Sequence, residues 1–255
     1  MKPFEIVAHR GKPGEAPENT IASYQLALEL GADAIEMDIR LTADQVPVVF
    51  HYYYLDKTTT SKGVIFQYTG KELEGVEVTC SGNPGADAGR ISTLEEILER
   101  FGGRIGMEIE IKGPEPEAPQ LIGRILNRFK HLWASFEITS YEPALLLAIR
   151  EICPGITVDL LYPRTEAWKG PDVILHEALH LSRLAGARAV HLHPSQLSES
   201  MVKTLKARGI QTHAWDVNDH DALAFVTGIG IPRICTDEFR MVHAYRESMT
   251  AVNPR

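Results

Sequence analysis

Cysteine is scarce in this chain, with three among 255 residues. Cys80, Cys153 and Cys235 are far apart and odd in number, which excludes a disulfide framework and suits a reducing compartment. An excess of basic charge is also lacking. Lys and Arg number 26 against 34 Asp and Glu, for a formal net charge of −8. A general nucleic-acid binder needs a basic face to release counterions, so no nucleic-acid partner is expected. An anionic substrate would need local positive charge, from a metal or from placed Arg and Lys. No apolar run approaches the ~18 residues of a membrane span, and Met1-Lys2-Pro3-Phe4-Glu5 lacks a signal-peptide core. The expectation is a cytoplasmic protein without stable membrane association.

What the chain does have is regular alternation. Strand-like runs fall at 5–10, 34–41, 104–112, 136–141, 156–162, 187–193, 210–217 and 232–236. Helical patterns lie between and after them, at 20–30, 93–101, 117–132, 143–151, 172–185, 198–208, 220–227 and 239–248. Ser92-Thr93 before Leu94-Glu95-Glu96 and Ser198 before Glu199 read as helix starts. Eight strand–helix units in a chain of this length predict an α/β fold, a (β/α)8 TIM barrel. A doubly wound open sheet is the alternative, but no Gly-x-Gly-x-x-Gly follows the first strand.

One run falls outside the count. Val46-Pro47-Val48-Val49-Phe50-His51 follows 34–41 after only Thr42-Ala43-Asp44-Gln45, too short a link for a parallel crossover, so it predicts an antiparallel hairpin return. Symmetric closure would make paired residues sum to 87 and set His51 opposite Glu36. Residues 52–90, with Tyr52-Tyr53-Tyr54 and many glycines, read as a small insertion after the second strand, within a single domain spanning 1–255.

Four charged clusters sit at or near strand ends: His9-Arg10-Gly11, Glu36-Met37-Asp38, His51, and Glu108-Ile109-Glu110-Ile111-Lys112. Alternation gives Ile35, Met37 and Ile39 to one strand face and Glu36, Asp38 and Arg40 to the other. Likewise Met107, Ile109 and Ile111 oppose Glu108, Glu110 and Lys112. The apolar sets should meet the outer helices and the charged sets the barrel axis. Carboxylates are costly to bury unless paired or metal-bound. Residues two apart on a strand stand roughly 7 Å apart, a span across which two carboxylates can grip one hard cation. A buried ion-pair network of Glu36, Asp38 and Glu110 with Arg40 and Lys112 competes with that account. His9 and His51 tip the balance, since two histidines near a metal suit one proton acceptor and one donor. Gly11 would let the backbone turn at the barrel mouth, where such folds keep their sites.

Other motifs carry less. Pro17-Glu18-Asn19-Thr20 reads first as a helix entry, with a site contact by Glu18 or Asn19 left open. Trp215, in Trp215-Asp216-Val217-Asn218, could wall the mouth or pack in the core. His176-Glu177-Ala178-Leu179-His180 matches a zinc-protease pattern. It lies mid-helix on what should be an outer helix, so a solvated helix face is the preferred account. His191 and His193 could face the mouth as supporting residues.

In order and spacing, His9-Arg10-Gly11, Pro17-Glu18-Asn19-Thr20, Gly31-Ala32-Asp33, Glu36-Met37-Asp38, Val48-Val49-Phe50-His51, Glu110-Ile111-Lys112, Trp215-x-x-Asn218 and Thr236-Asp237 resemble the glycerophosphodiester phosphodiesterases. The resemblance covers nearly the whole chain. It implies a barrel with a small insertion after the second strand and one divalent cation, Mg2+ or Ca2+, on Glu36, Asp38 and Glu110. It further implies acid–base catalysis by His9 and His51, and substrate contacts from Arg10 and Lys112, with Trp215 at the mouth. The expected substrate is a small phosphodiester, cleaved to an alcohol and sn-glycerol 3-phosphate. One departure stands out: the family's usual Asp after the hairpin histidine is Tyr52 here. Tyr52 to Tyr54 could line a pocket for the leaving alcohol. Two rivals follow, a lysophospholipase D-like enzyme acting on lipids and a non-catalytic relative that keeps the metal site. Oligomeric state, a homo-oligomer included, is left open.

Overall fold

The computed structural model describes residues 2–80, 82–83, 85–164 and 168–252, without the side chains of 251 and 252. Parts of the expected 1–255 domain and 52–90 insertion (residues 1, 81, 84, 165–167 and 253–255) lie outside the described residues. The strands are β1 (Glu5–Ala8), β2 (Ala34–Leu41), β3 (Pro47–Val49), β4 (Glu77–Val78), β5 (Gly89–Arg90), β6 (Gly106–Ile111), β7 (Phe136–Ser140), β8 (Thr157–Leu161), β9 (Ala189–Leu192), β10 (Gln211–Ala214) and β11 (Arg233–Thr236). The helices are α1 (Ile21–Glu29), α2 (Gly70–Leu73), α3 (Leu94–Phe101), α4 (Ala118–Arg128), α5 (Pro143–Ile152), α6 (Pro171–Ala185), α7 (Glu199–Ala207), α8 (His220–Gly228) and α9 (Phe239–Val252).

Strands β1, β2 and β6 to β11 pair in chain order, and β1 bonds to both β2 and β11, so the parallel ring closes. This is the expected (β/α)8 barrel. Alternation sorts its strands. Ile35, Met37, Ile39, Met107, Ile109 and Ile111 join the apolar layer shared with the helices. Glu36, Asp38, Glu108 and Glu110 are equally buried, on the opposite, inward face. Helix α3 shows the local logic. Thr93 caps its start and exchanges hydrogen bonds with Glu96, while Leu94, Ile97, Leu98 and Phe101 form one buried stripe. The expected helix at 117–132 is shorter: α4 stops at Arg128, and the chain tightens into a 3-10 turn over Lys130–Ser135. Among the described residues, no helix is long and apolar enough to cross a membrane.

Strand β3 returns antiparallel along β2, as the short link required, but with Leu41 opposite Pro47 and Ile39 opposite Val49. Paired residues therefore sum to 88, not 87. Thr42 and Val46 bond across the turn, leaving three loop residues, and Gln45 takes a left-handed conformation (φ 62°). That is the type I turn with a bulge residue, and it shifts register by one. After β3 the chain builds a small apolar core of its own from Val48, Phe50, Leu55, Ile65, Leu73, Val76, Val78 and Ile91.

The seam between the first and last elements is pinned by Asp33. Its Oδ2 accepts from Ile6 N (2.8 Å) and from the Arg246 guanidinium of α9, and its Oδ1 accepts from Lys2. Burial alone would raise its pKa, but these three donors hold it below the usual carboxylate value. A depressed native pKa contributes stability above the unfolded value of ~3.9 and loses it as pH falls through the native one. We expect Asp33→Asn to cost about 1–3 kcal/mol at neutral pH, the usual penalty for unpairing buried partners. The gap from wild type should shrink below pH ~4 in urea-unfolding curves.

Candidate active site

The turn after β1 depends on one glycine. Arg10 and Gly11 both have positive φ (52° and 90°), and a Cβ on Gly11 would lie 2.4 Å from Ser23 Oγ and 2.7 Å from Ser23 backbone. Only glycine allows so close a pass of the turn over α1. The turn throws His9 and Arg10 into the barrel mouth. His9 Nδ1 lies 2.7 Å from Asp237 Oδ1, and Asp237 is itself held by the Asn218 side-chain amide (3.0 Å). Burial disfavours a charged His9, but the Asp237 hydrogen bond and the nearby Glu36 outweigh it, and its pKa is pushed up to about 9.

Glu36, Asp38 and Glu110 converge beside it. Each offers a carboxylate oxygen within 4.8 Å of the others, and all three are buried. The strand register explains the meeting, since Asp38 on β2 pairs with Glu110 on β6. Three like charges in so little space cannot all remain ionised without help. Burial would raise Asp38, yet Lys112 and Arg10 hold it well below the carboxylate range, with Asn19 donating 2.8 Å away. Burial and the Asp38 charge push Glu36 well up; burial is also the chief cause that takes Glu110 to about 7. Lys112 Nζ sits 2.8 Å from Glu110 Oε1 and 3.2 Å from Asp38 Oδ1. Both oxygens are nevertheless buried without a partner in hydrogen-bond geometry. An all-oxygen donor set with buried, unsatisfied acceptors fits a hard divalent cation.

His51 reaches this mouth from just beyond β3, not from a position opposite Glu36. Its carbonyl accepts from Arg40 Nε (2.7 Å), which fixes the backbone there. Burial is the chief cause that lowers the His51 pKa to about 3, with Asp38 pulling it up and the cations Lys112 and Arg10 pressing it down. His9 and His51 thus have proton affinities driven apart by their surroundings. Tyr52 stands edge-on to the His51 ring at 4.6 Å and beneath the Arg10 guanidinium at 5.9 Å. A ring thus occupies the position where the family resemblance led to an aspartate. Trp215 stands edge-on to Tyr141 and His193, and its indole N–H is buried without a partner.

Other expectations fare differently. His191 does not face the mouth. It is 1% exposed and lies deeper in the barrel against Glu108, Glu137, Asp159 and His213. His176 and His180 are exposed on α6 and join no candidate metal group among the described residues, while Glu177 is bonded to Tyr162 and Lys169. Glu18 and Asn19 do more than open a helix. Thr20 supplies the cap, Glu18 binds Arg10 Nη1 (3.1 Å), and buried Asn19 (φ 56°) braces Asp38. The tie between Asp237 and His9 was not legible from spacing, because 228 residues separate them.

A model of the glycerophosphoryl diester phosphodiesterase family matches residues 9–241, from His9 into α9. The chain belongs to that family. It is 32% identical over 238 residues to YhdW of Bacillus subtilis (strain 168), covering 91% of this chain and 93% of that one. A glycerophosphodiester phosphodiesterase of Caldanaerobacter subterraneus subsp. tengcongensis is 29% identical over the same shares. Among solved structures, an Oleispira antarctica phosphodiesterase in complex with the product sn-glycerol-3-phosphate superposes with a TM-score of 0.80 at 25% identity, over 95% of this chain and 96% of that one.

Within this family member, Asn19 offers a probe of the carboxylate cluster. Asn19→Gly keeps the left-handed backbone accessible and removes the amide that orients Asp38, together with its acceptor for the buried Tyr24 hydroxyl. We expect divalent-cation affinity, measured calorimetrically, to fall ~10–100-fold, as for other groups that orient a ligand from behind.

Proposed function

We propose that this protein is a metal-dependent phosphodiesterase that hydrolyses glycerophosphodiesters to an alcohol and sn-glycerol 3-phosphate. The supporting observation is the three-carboxylate cluster flanked by two histidines of opposite proton affinity. Glu36, Asp38 and Glu110 would hold the cation, for which Mg2+ and Ca2+ both suit an all-oxygen set. When bound, the cation supplies charge neutralisation at the non-bridging phosphate oxygens. Arg10 and Lys112 would meet the same phosphate, and Trp215, with its free indole donor, would contact the substrate at the mouth. The three free cysteines suit a reducing, cytoplasmic setting. We read 1–255 as one domain into which 52–90 is inserted.

The pKa split supports one assignment of the proton roles. His51, neutral, accepts the proton of the vicinal glycerol hydroxyl as that oxygen attacks phosphorus, while His9 donates its proton to the departing alkoxide. Water then opens the cyclic phosphate with the two roles exchanged. Asp237 keeps His9 oriented and protonated. A second reading, hydrolysis of lysolipids, is favoured by the exposed Tyr53, Tyr54 and Phe66 on the segment that follows His51. Parallel assays of glycerophosphocholine and a lysolipid separate the two.

Release of sn-glycerol 3-phosphate from a panel of glycerophosphodiesters, with and without chelator, tests the proposal directly; no release with metal supplied would refute it. Replacing either His9 or His51 by Ala should lower kcat at least ~10²-fold. Near-normal turnover in both would remove the acid–base assignment. Because the Asp237 hydrogen bond raises the His9 pKa, Asp237→Asn should move the alkaline limb of the kcat/KM profile to lower pH. The same limb staying in place would show that His9 is not the acid.

A further inference from the structure

Beneath the mouth the barrel holds a second set of metal-capable side chains, which the proposed chemistry leaves unused. Four consecutive strands each send one inward: Glu137 from β7, Asp159 from β8, His191 from β9 and His213 from β10. His191 and His213 face each other because they are register partners. All four residues are buried, Asp159 completely. We propose that Glu137, Asp159, His191 and His213 form a tetrahedral binding site for a transition-metal ion of the zinc class inside the barrel.

The donor spacing carries the proposal. His191 Nε2 lies 3.0 Å from His213 Nδ1, 3.2 Å from Glu137 Oε1 and 3.4 Å from Asp159 Oδ2. His213 Nδ1 lies 3.7 Å from Glu137 Oε1 and 3.8 Å from Asp159 Oδ2. Four ligands bonded to zinc at 2.0–2.1 Å stand about 3.4 Å from one another, the edge of the tetrahedron. These five separations bracket that value. Glu137 Oε1 is buried without a hydrogen-bond partner and points into the gap.

The groups behind the four donors are arranged as such a site needs. His191 Nδ1 lies 3.3 Å from Glu108 Oε1, outside hydrogen-bond geometry but on the side that leaves the other ring nitrogen to the metal. Glu137 is held through its other oxygen by Arg188 (2.6 Å), and Asp159 through Oδ1 by the Ala189 amide (2.9 Å), while Asp159 Oδ2, the atom facing His191, also accepts from Arg188. Charge leads the same way. Glu108, Glu137 and Asp159 outnumber Arg188 and Arg233 by one negative charge, which a metal ion or a proton on His191 would balance. At the N-terminal end of the strands, a cleft of ≈ 380 Å³ lined by Glu5, Arg188, Gln211 and Arg233, among others, reaches His213. The mixed nitrogen and oxygen donors separate this site from the all-oxygen cluster above it, which suits harder ions.

The competing account places a proton on His191 and makes the set an ion-pair network. To decide, the protein is produced in cobalt-supplemented medium, passed through chelator, and read by metal analysis and visible absorption. We expect about one retained cobalt per chain with the strong visible bands of four-coordinate geometry. Both should persist in Glu36→Gln/Glu110→Gln, which disables the upper cluster, and vanish in His191→Gln/His213→Gln with unchanged circular dichroism. Should the histidine variant not fold, the wild type and the upper-cluster variant decide alone. Folded protein without retained metal, or with only the faint spectrum of six-coordinate cobalt, overturns the site and leaves the proton in its place.

Discussion

A closed parallel barrel turns half of every strand toward an interior that water does not fill, and here that interior carries carboxylates. Their need for compensating charge organises much else. Asp38 is the pivot: Arg10, Lys112 and Asn19 all contact it, each from a different part of the chain. With those partners it keeps its charge, and in doing so it raises the proton affinity of Glu36 and Glu110. The cations that hold Asp38 also add to the burial that keeps His51 neutral. One buried charge thus couples the candidate metal ligands to one of the two histidines.

The interior is layered. At the mouth the carboxylates meet Arg10, Lys112 and the histidines. Lower down, Glu108, Glu137 and Asp159 meet Arg188, Arg233, His191 and His213. Strand β6 contributes to both layers through Glu110 and Glu108, two residues apart and therefore on one face. An apolar barrel interior would be easier to stabilise, because buried ion pairs seldom repay their desolvation. Two charged layers in one barrel therefore suggest that the lower one serves more than packing.

The excursion after β3 changes the outer side of the mouth. Its own apolar core lets the chain leave the barrel wall and return to α3 without exposing Leu55, Ile65 or Leu73. That support positions Tyr52 against His51 and Arg10, and Tyr53 beneath Arg40 at 3.8 Å from its guanidinium. An aromatic ring cannot accept a proton or bind a cation as an aspartate would. It can hold His51 by packing and confine the Arg10 guanidinium.

Much of this was legible from the sequence alone. Alternation in 34–41 and 104–112 separated core residues from charged ones, and the succession of strands and helices led to the barrel, because both depend on local periodicity. Motif order led to the family, and the mouth residues His9, Glu36, Asp38, His51 and Glu110 do gather in one place. The hairpin register was not legible, since one left-handed residue, Gln45, decides between two closures that differ by a single position. Nor was the binding of Asp237 to His9, of Asn19 to Asp38, or of His191 to a deeper layer. Those depend on how far each inward residue lies along the barrel axis, and that is set by the stagger of neighbouring strands. Local periodicity says which face a side chain takes; only the closed ring says at what depth it meets its partners.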